Sequence, residues 1–537
     1  MKLLTEIKTK LGYDEEDIYF AIERKYKLKK SEVEKYIIIR ESIDARKKPN
    51  VIINLNIAVE VTKNSLYKLR DCKDYEPMLS GLEYEKLDIG AERPVIVGFG
   101  PAGMFSGLAL ALAGLKPIII EQGKPVDERQ IDVDEFWKNR KLNTYSNVQF
   151  GEGGAGTFSD GKLASNVSNE YTKRVINELI LNGAPKEIFY SYAPHIGSDK
   201  LKEVVKNIRE KIINLGGEIW FNSRFDGFKI KNKKVQKVSI FDLKHNKNLE
   251  INTDSLILAV GHSAVDVYKF LKNIGCEMKQ KPFAMGVRIE GLQSDINKAQ
   301  YGFNDENMPA ANYKLVEHLE NGRSVFSFCM CPGGMVVASS SEEGTIVTNG
   351  MSNNARNEKN ANAAILVNVT PKDFNGEDVL AGVEFQHKYE RLAFELGGGD
   401  YSAPVEKVGD FLRDDGDVSD EIGRVKPSYM PKVRFAKLKR CLPDFVFESL
   451  KLALPKFGKK IKSIDAEDNL LIGIESRSSA PVQIVRDEKT MSVSFEGLFV
   501  CGEGAGYAGG ITSSAQDGIK CAESVMNYLK LKNKKCK

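Results

Sequence analysis

Residues 93–121, RPVIVGFGPAGMFSGLALALAGLKPIIIE, constrain the fold of this chain more than any other segment. They predict a short buried strand at 94–97, a glycine-rich turn, an apolar helix near 102–113 and a second strand at 117–120. This order is typical of the βαβ unit that binds a dinucleotide. The segment therefore predicts an α/β domain with a nucleotide site at the turn.

Three glycines and one acid in this segment have the spacing that dinucleotide binding requires. Gly98 allows the tight turn, Gly100 lets the backbone approach a pyrophosphate, and Gly103 lets the helix pack closely on the sheet. The amino end of the helix offers free N–H groups and partial positive charge to phosphates. Glu121 follows Gly98 by 23 residues, near the roughly 20-residue spacing at which a carboxylate holds a ribose diol, which favours FAD or NAD over NADP. The predicted site also includes Pro101, Ala102, Gln122, Gly123 and Arg129.

Two further segments match the glycine pattern, GEGGAG at 151–156 and GAGYAG at 504–509, but neither leads to a strand that ends in an acid. The loop at 150–163 contains five glycines, and such a loop can surround a phosphate or a flavin ring with backbone N–H groups. Ser159 and Lys162 would add a hydroxyl and a charge. A flexible surface loop is the alternative interpretation. The predicted cofactor residues of this loop are Gly153, Gly154, Gly156 and Thr157.

The composition is that of a soluble globular protein with several domains. The chain has 537 residues, of which 42% are hydrophobic and 28% are charged, and its net charge is +4. This small net charge gives no reason to invoke nucleic acid or an acidic membrane, and Lys116 and Pro117 interrupt the longest apolar stretch. The first residues lack the apolar region of a signal peptide, and the eight cysteines are scattered. We therefore expect a cytoplasmic protein with no membrane span and no metal site.

The order of predicted elements divides the chain into four parts. A helix at 14–25, a short helix beginning at Ser31 and strands at 34–40 and 51–61 predict a small α/β module, and a polar linker follows at 67–93. Buried strands at 255–260 and 497–501 lie far apart in sequence, which predicts a discontinuous nucleotide-binding domain. The predicted domains are residues 1–90 (module and linker), 91–275 (nucleotide-binding domain, first part), 276–480 (substrate domain) and 481–537 (nucleotide-binding domain, second part).

Three separated segments occur in the order of a known flavoprotein fold. They are the turn at Gly98, TDSLILAVG at 253–261 and GLFVCGEGAGYAGGITSSAQDG at 497–518. This set resembles the FAD-binding fold of the glutathione-reductase superfamily, which implies bound FAD and a discontinuous Rossmann-like domain with an inserted substrate domain. The resemblance also implies that an acid, here Glu503, points to the ribityl chain and that a helix begins at the pyrimidine edge of the flavin. The residues implied to contact FAD are Gly261, Gly502, Glu503, Gly509, Gly510 and Ile511.

Longer strings match one family over nearly the whole chain. They are SIDARKK at 42–48, FGEGGAGTFSDGKL at 150–163, KPFAMGVRIE at 281–290, FSFCMCPGGMVV at 326–337, TNGMSNNAR at 348–356 and IESRSSAPVQIVR at 474–486. The pattern resembles that of the uncharacterised FAD-dependent dehydrogenase family, sometimes labelled NAD-utilising dehydrogenases. The resemblance implies FAD and a redox role but no particular substrate. Gly291 stands where this pattern leads us to expect a histidine.

Cys329 and Cys331 are candidates for a substrate pocket. A redox pair beside a flavin is sound chemistry. However, residues i and i+2 of a regular strand lie about 7 Å apart, at or beyond the limit for an unstrained disulfide. We therefore favour the interpretation that these cysteines are small packing residues.

Arg288 and Arg477 are candidate anion clamps in the predicted substrate domain. Each lies among small and apolar residues, where an unpaired guanidinium would be costly. Structural salt bridges are the alternative. His262 follows the turn at Gly261, but the sequence pairs it with no carboxylate, so we do not assign it as a general acid.

These predictions combine into an FAD-dependent oxidoreductase that moves a hydride between non-covalent FAD and a small-molecule substrate. The sequence contains no second complete dinucleotide fingerprint, so NAD(P)H, a candidate electron donor, would dock without a domain of that type. Catalytic side chains are not assigned. Two alternatives stay open: a flavoprotein whose N-terminal module contacts RNA, and a flavoprotein that binds or senses a ligand without turnover.

Overall fold

The computed structural model describes residues 1–76, 80–88, 92–163, 169–305, 308–374 and 376–536. The first elements form a small module, whose sheet is antiparallel in the order β1-β3-β2. Asp14 begins α1 with a capping box, and Ile18 and Ile22 pack against the sheet. The elements of the module are β1 (Lys2–Thr9), α1 (Glu15–Tyr26), β2 (Val33–Lys47) and β3 (Asn50–Val61).

The predicted helix and two strands of this module are confirmed, although β2 is longer than predicted. The strand β1 was not predicted. The short helix expected at Ser31 is a single 3₁₀ turn, Lys30–Glu32. Pro77 and Gly90, on which the predicted linker partly depends, lie outside the described residues.

The next elements build a parallel sheet, with most of the helices on one of its faces and a β-meander and one helix on the other. They are β4 (Val95–Val97), α2 (Pro101–Leu112), β5 (Ile118–Ile120), α3 (Val126–Asn139), α4 (Glu170–Leu181), α5 (Ser198–Asn214), β6 (Glu218–Trp220), β7 (Ser223–Lys231), β8 (Lys234–Asp242), β9 (Lys247–Asn252), β10 (Leu256–Leu258) and α6 (Val265–Asn273).

The remaining elements supply a larger antiparallel sheet and the last strand and helix of the parallel layer. They are β11 (Met278–Gln280), β12 (Phe283–Leu292), α7 (Gln293–Tyr301), β13 (Val316–His318), β14 (Ser324–Cys331), β15 (Met335–Ala338), β16 (Thr348–Met351), β17 (Asn360–Val369), α8 (Ala381–Leu396), β18 (Ala403–Lys407), α9 (Val408–Arg413), β19 (Val433–Phe435), α10 (Asp444–Lys460), β20 (Leu470–Glu475), β21 (Val482–Ile484), β22 (Leu498–Val500) and α11 (Ile511–Cys536).

The five-stranded parallel sheet has the order β22-β10-β4-β5-β6, so its edge strand β22 comes from a distant part of the chain. Its strands alternate between two buried faces. Ile96, Ile119 and Phe499 pack with α2, α5 and α11, while Val95 and Ile120 pack with the β7–β9 meander. The carboxyl ends of the central strands therefore meet at one edge, where a parallel sheet presents its ligand site.

The seven-stranded sheet has the order β13-β14-β17-β12-β20-β18-β19. Its central strands β12 and β17 pair antiparallel from Phe283 to Leu292 and are buried on both faces. β14 pairs with β17, but the register shifts between Phe328 and Cys331. None of the helices among the described residues is long and apolar enough to cross a membrane.

Candidate functional site

A cleft lies at the carboxyl ends of the parallel strands. Two adjoining cavities of about 680 Å³ and about 350 Å³ form it, and they share Gly98, Glu121 and Phe150 as lining residues. The cleft thus joins the first glycine turn to the amino end of α11. The predicted site residues that line it are Gly98, Gly100, Pro101, Ala102, Glu121, Gln122, Gly154, Gly156, Gly261, Cys329, Arg477, Glu503, Gly509, Gly510 and Ile511.

Each glycine of the first turn is required for a different structural reason. Gly98 has a φ of +96°, and a Cβ there would lie 2.4 Å from the backbone oxygen of Ala259. A Cβ on Gly103 would lie 1.9 Å from the oxygen of Gly98, so both positions exclude a side chain through packing. A Cβ on Gly100 would meet only Gly154 Cα, at 3.6 Å. Gly100 therefore leaves open the space through which a ligand can approach the backbone.

The second glycine loop packs directly against this turn. The N–H of Gly153 donates to the carbonyl oxygen of Phe99 (2.8 Å). Gly154 has a φ of +63°, and a Cβ there would lie 2.9 Å from Gly100 Cα. The loop at 150–163 is therefore part of the cleft wall, and the alternative of a flexible surface loop is wrong.

Glu121 lines both parts of the cleft but also holds the turn together. It is 5% exposed, and its carboxylate accepts the N–H groups of Phe99 (2.8 Å) and Gly123 (2.9 Å). A carboxylate offers about four lone-pair sites, so acceptor capacity is left for hydroxyl groups of a ligand. Gly123 itself packs against the second loop, since a Cβ there would lie 2.5 Å from Gly151 Cα.

Arg129 holds the second loop through hydrogen bonds to backbone oxygens and does not line the cleft. The side chain is fully buried, and it donates to the carbonyl oxygens of Asn147 (2.8 Å), Val148 (2.9 Å) and Glu152 (2.6 Å). Burial lowers the pKa of this guanidinium to about 10. The expectation that Arg129 contacts the cofactor is therefore corrected, because its donors are occupied by backbone oxygens.

Other predicted residues also lie behind the lining. The hydroxyl of Thr157 donates to the carbonyl oxygen of Glu152 (3.2 Å). The N–H of Gly502 donates to Oδ2 of Asp517 (2.7 Å), which also pairs with Arg486. These residues fix the loops that form the cleft. The predicted site residues absent from the lining are Gly103, Gly123, Arg129, Gly153, Thr157, Gly502, Arg288 and Cys331.

His262 has a carboxylate partner that the sequence did not reveal. Its Nδ1 lies 3.3 Å from Oε1 of Glu503, because the turns after β10 and β22 lie side by side. Both residues line the smaller cavity. Nε2 of His262 is buried and has no hydrogen-bond partner among the described residues. The interpretation that nothing pairs His262 with a carboxylate is therefore wrong.

Both candidate anion clamps are paired with carboxylates of the protein. Arg288 is fully buried, and its Nε and Nη2 donate to Glu475 at 2.7 and 3.2 Å. Arg477 donates to Glu390 through Nε (3.0 Å) and Nη2 (2.8 Å), and Nη2 also reaches Glu342 (3.2 Å). The salt-bridge alternative thus describes both arginines. Arg477 still lines the smaller cavity.

Cys329 and Cys331 do not lie on a regular strand. The register shift in β14 and a φ of +42° at Cys329 mark a bulge. Cys329 is partly exposed and lines the smaller cavity, whereas Cys331 is fully buried. The 7 Å spacing is that of a regular strand, and the bulge interrupts this regularity between Phe328 and Cys331. Both cysteines are free thiols in this structure, so the interpretation that they are packing residues stays a prediction.

Comparisons with known proteins identify the family. Residues 282–478 match the family described as FAD-dependent protein, C-terminal domain-like, and residues 1–60 match a domain of unknown function. A protein of Clostridium beijerinckii, described as uncharacterized, is 47% identical over 521 residues, which cover 95% of each chain. The chain belongs to the same family as this clostridial protein. Its cofactor is FAD, as the sequence predicts.

Solved flavoprotein structures give only loose superpositions. A glycerol-3-phosphate dehydrogenase from Bacillus halodurans, complexed with FAD, is 11% identical with a TM-score of 0.37; the match covers 82% of this chain and 65% of that one. A geranylgeranyl bacteriochlorophyll reductase-like protein from Thermoplasma acidophilum is 11% identical with a TM-score of 0.35, covering 83% and 82% of the two chains. Matches at this level assign neither activity nor substrate to this chain.

The cleft residues fit FAD. Gly100 leaves the backbone open, and a Cβ on Gly509 or Gly510 would meet nothing within 4 Å, so the amino end of α11 is also open to the cleft. Helix N–H groups there can bind an electron-rich ring edge. Nζ of Lys162, like Nε2 of His262, is buried without a hydrogen-bond partner among the described residues. Lys162 forms an ion pair with Asp160 at 3.5 Å, whereas Nε2 of His262 and the open backbone segments offer polar atoms and space of the kind that FAD requires.

Proposed function

We propose that the protein is an FAD-dependent oxidoreductase that transfers a hydride between non-covalent FAD and a small-molecule substrate. The observation that supports this most is the single cleft that runs from Glu121, past the open backbone at Gly100, to the amino end of α11. The proposal includes a glutathione-reductase-type FAD domain formed by residues 91–275 and 481–537. Residues 276–480 would then supply the substrate side of the cleft.

In the proposed binding mode, three parts of FAD contact different segments of the cleft. Glu121 would bind the adenosine ribose, the N–H groups of Gly100 and Ala102 the pyrophosphate, and Gly509 to Ile511 the pyrimidine edge. Bound FAD supplies reversible two-electron chemistry. The protein holds the flavin, excludes water and controls protons. His262 is the side chain best placed to hold or release a proton, because Glu503 orients its Nδ1 while Nε2 is free.

A small molecule is the proposed partner, and the proposed location is the cytoplasm. NAD(P)H is a candidate donor that would dock on the cleft without a second nucleotide-binding domain. The lysines of the N-terminal module do not favour RNA, since Lys68 pairs with Glu32 and Lys25 with Glu6. Acids are interleaved with the lysines of this module and pair with several of them, which does not favour a phosphate-binding surface. We therefore do not extend the proposal to nucleic acid.

The test is an anaerobic screen of the purified holoprotein. NADH, NADPH and pools of small metabolites are added separately, and the absorbance of oxidised flavin is followed. We expect one class of compound to bleach the flavin within seconds and a chemical acceptor to restore the colour over repeated cycles. A protein with stoichiometric FAD that no donor reduces, although dithionite does, would contradict the proposal and favour a binding or sensing role.

A further inference from the structure

A partly exposed cysteine and a buried one lie together at the substrate end of the cleft. Cys329 lines the cavity that also contains Gly510 and Ile511, where the flavin ring is expected. The thiol of Cys331 donates to the carbonyl oxygen of Cys329 (3.3 Å). The bulge of β14 thus brings the second cysteine directly behind the first, and only the first lines the cleft.

The conformation of this bulge is costly for a cysteine. Cys329 has a φ of +42°, a region that residues with a side chain rarely adopt. Strained backbone of this kind is concentrated at functional sites. Cys329 is one of several non-glycine residues of this chain with a positive φ, and it lies in the wall of the cleft.

Two cationic side chains act on the cysteines, the buried Arg288 and the partly exposed Lys162. Nη1 of Arg288 lies 3.3 Å from the carbonyl oxygen of Cys329 and 3.9 Å from Sγ of Cys331. Lys162 interacts electrostatically with both cysteines, and its Nζ lies 3.5 Å from Oδ2 of Asp160. Both cations also have carboxylate partners, Arg288 with Glu475 and Lys162 with Asp160, and both favour the negative charge of a thiolate at Cys329.

The environment shifts the pKa values of the two thiols in opposite directions. A hydrogen bond from the Cys331 thiol to the Cys329 sulfur, followed by the charges of Lys162 and Arg288, lowers the pKa of Cys329. This bond is an alternative to the one that the same S–H donates to the carbonyl oxygen of Cys329. When the S–H is directed at the Cys329 sulfur, this hydrogen bond and burial raise the pKa of Cys331. A thiolate beside a protonated thiol is the arrangement from which a disulfide forms, since the thiolate is the nucleophile and the second thiol gives up its proton.

We propose that Cys329 and Cys331 are a redox-active dithiol–disulfide pair that exchanges two electrons with the bound FAD. In the oxidising direction the S–H bond of Cys331 breaks and one S–S bond forms. Two electrons and one proton pass to the oxidised flavin, which becomes anionic reduced flavin. The reverse step regenerates the Cys329 thiolate and the Cys331 thiol. The proposal rests on the FAD site but not on the identity of any substrate.

The test measures thiols and electrons in the holoprotein. Wild type, Cys331→Ser and the control Cys72→Ser, which removes another partly buried cysteine, are each oxidised with diamide. They are then unfolded, alkylated with iodoacetamide and digested with trypsin. Cleavage after Arg323 and Arg356 releases one peptide that contains both cysteines. We expect this peptide to be unalkylated and disulfide-bonded in wild type and Cys72→Ser, and alkylated at Cys329 in Cys331→Ser.

An anaerobic titration with dithionite tests the link to the flavin. Diamide-oxidised wild type should consume about twice as much reductant per flavin as Cys331→Ser, since the disulfide takes a second electron pair. Equal consumption would overturn electron exchange, and full alkylation of the oxidised wild-type peptide would overturn the pair itself. If Cys331→Ser does not fold, Cys329→Ser replaces it. The mass of the wild-type peptide decides the pairing without any variant or substrate, so failure to find a substrate leaves this result intact.

Discussion

The substitution Glu121→Gln separates ligand binding from support of the turn. The carboxylate accepts the N–H groups of Phe99 (2.8 Å) and Gly123 (2.9 Å) in a site that is 5% exposed. Glutamine keeps the shape and one acceptor oxygen, but its NH₂ group faces the other N–H. A lost hydrogen bond to a buried charged group costs about 1.5–3 kcal/mol. We expect the free energy of unfolding of the apoprotein to fall by about this amount.

Binding of FAD should weaken in addition. If the carboxylate also accepts a ribose hydroxyl, its neutralisation removes a second bond of this kind, which corresponds to about a tenfold to hundredfold rise in the Kd for FAD. Urea unfolding of apoprotein measures the first effect, and titration of apoprotein with FAD, followed by flavin fluorescence, measures the second. Glu128→Gln, an exposed acid on α3, is the matched control. A folded Glu121→Gln variant that binds FAD as tightly as wild type would refute the ribose assignment.

Four further outcomes test other parts of the structure. Denaturation should release a yellow compound that co-migrates with FAD, and a flavin retained on the polypeptide would contradict non-covalent binding. Gly100→Ala should keep the stability of the apoprotein but raise the Kd for FAD by about tenfold or more. Gly103→Ala should instead lose about 3 kcal/mol of stability, because its Cβ would lie 1.9 Å from a backbone oxygen. Equal behaviour of the two variants in urea unfolding and FAD titrations would refute this difference. Burial raises the pKa of Glu406 to about 7, so above about pH 4.5 the folded state keeps a proton that the unfolded chain releases. The free energy of unfolding of wild type should therefore fall by on the order of 3 kcal/mol relative to Glu406→Gln as the pH rises from about 4.5 to 7. Urea unfolding measures this, and parallel curves of stability against pH for the two proteins would contradict it. Cys329 should react with iodoacetamide near pH 6, because its pKa is lowered. Cys72 should be inert at this pH, because burial raises its pKa. Peptide mass spectrometry measures both rates, and equal rates would argue against a Cys329 thiolate.

The glycine turn could be predicted because local sequence determines it. Gly98 and Gly103 are required by backbone contacts within a few residues or with the adjacent strand, so their spacing carries the structural information. The same holds for the buried strands, whose short apolar runs end in glycine. The order of the parallel sheet, with β22 beside β10, could be anticipated only through the resemblance to a known fold.

The ion pairs between distant segments could not be predicted from spacing. His262 meets Glu503 because the turns after β10 and β22 lie side by side. Arg477, just after β20, meets Glu390 in the middle of α8. An isolated arginine or histidine in a sequence does not reveal which carboxylate neutralises it. Arg129 is a second example, since its partners are backbone oxygens of a loop. Every residue has a backbone oxygen, so residue types in the sequence do not reveal such partners.

The cysteine pair shows where a sound local rule is incomplete. Alternation in SVFSFCMC predicts a strand, and β14 is one, but a single bulge inside it changes which side chains can meet. The bulge also has contacts beyond its strand, since Arg288, held by Glu475, donates to the carbonyl oxygen of Cys329. The same guanidinium lies 3.9 Å from Sγ of Cys331. Local spacing cannot reveal this contact, because Arg288 lies 41 residues before Cys329 in the sequence.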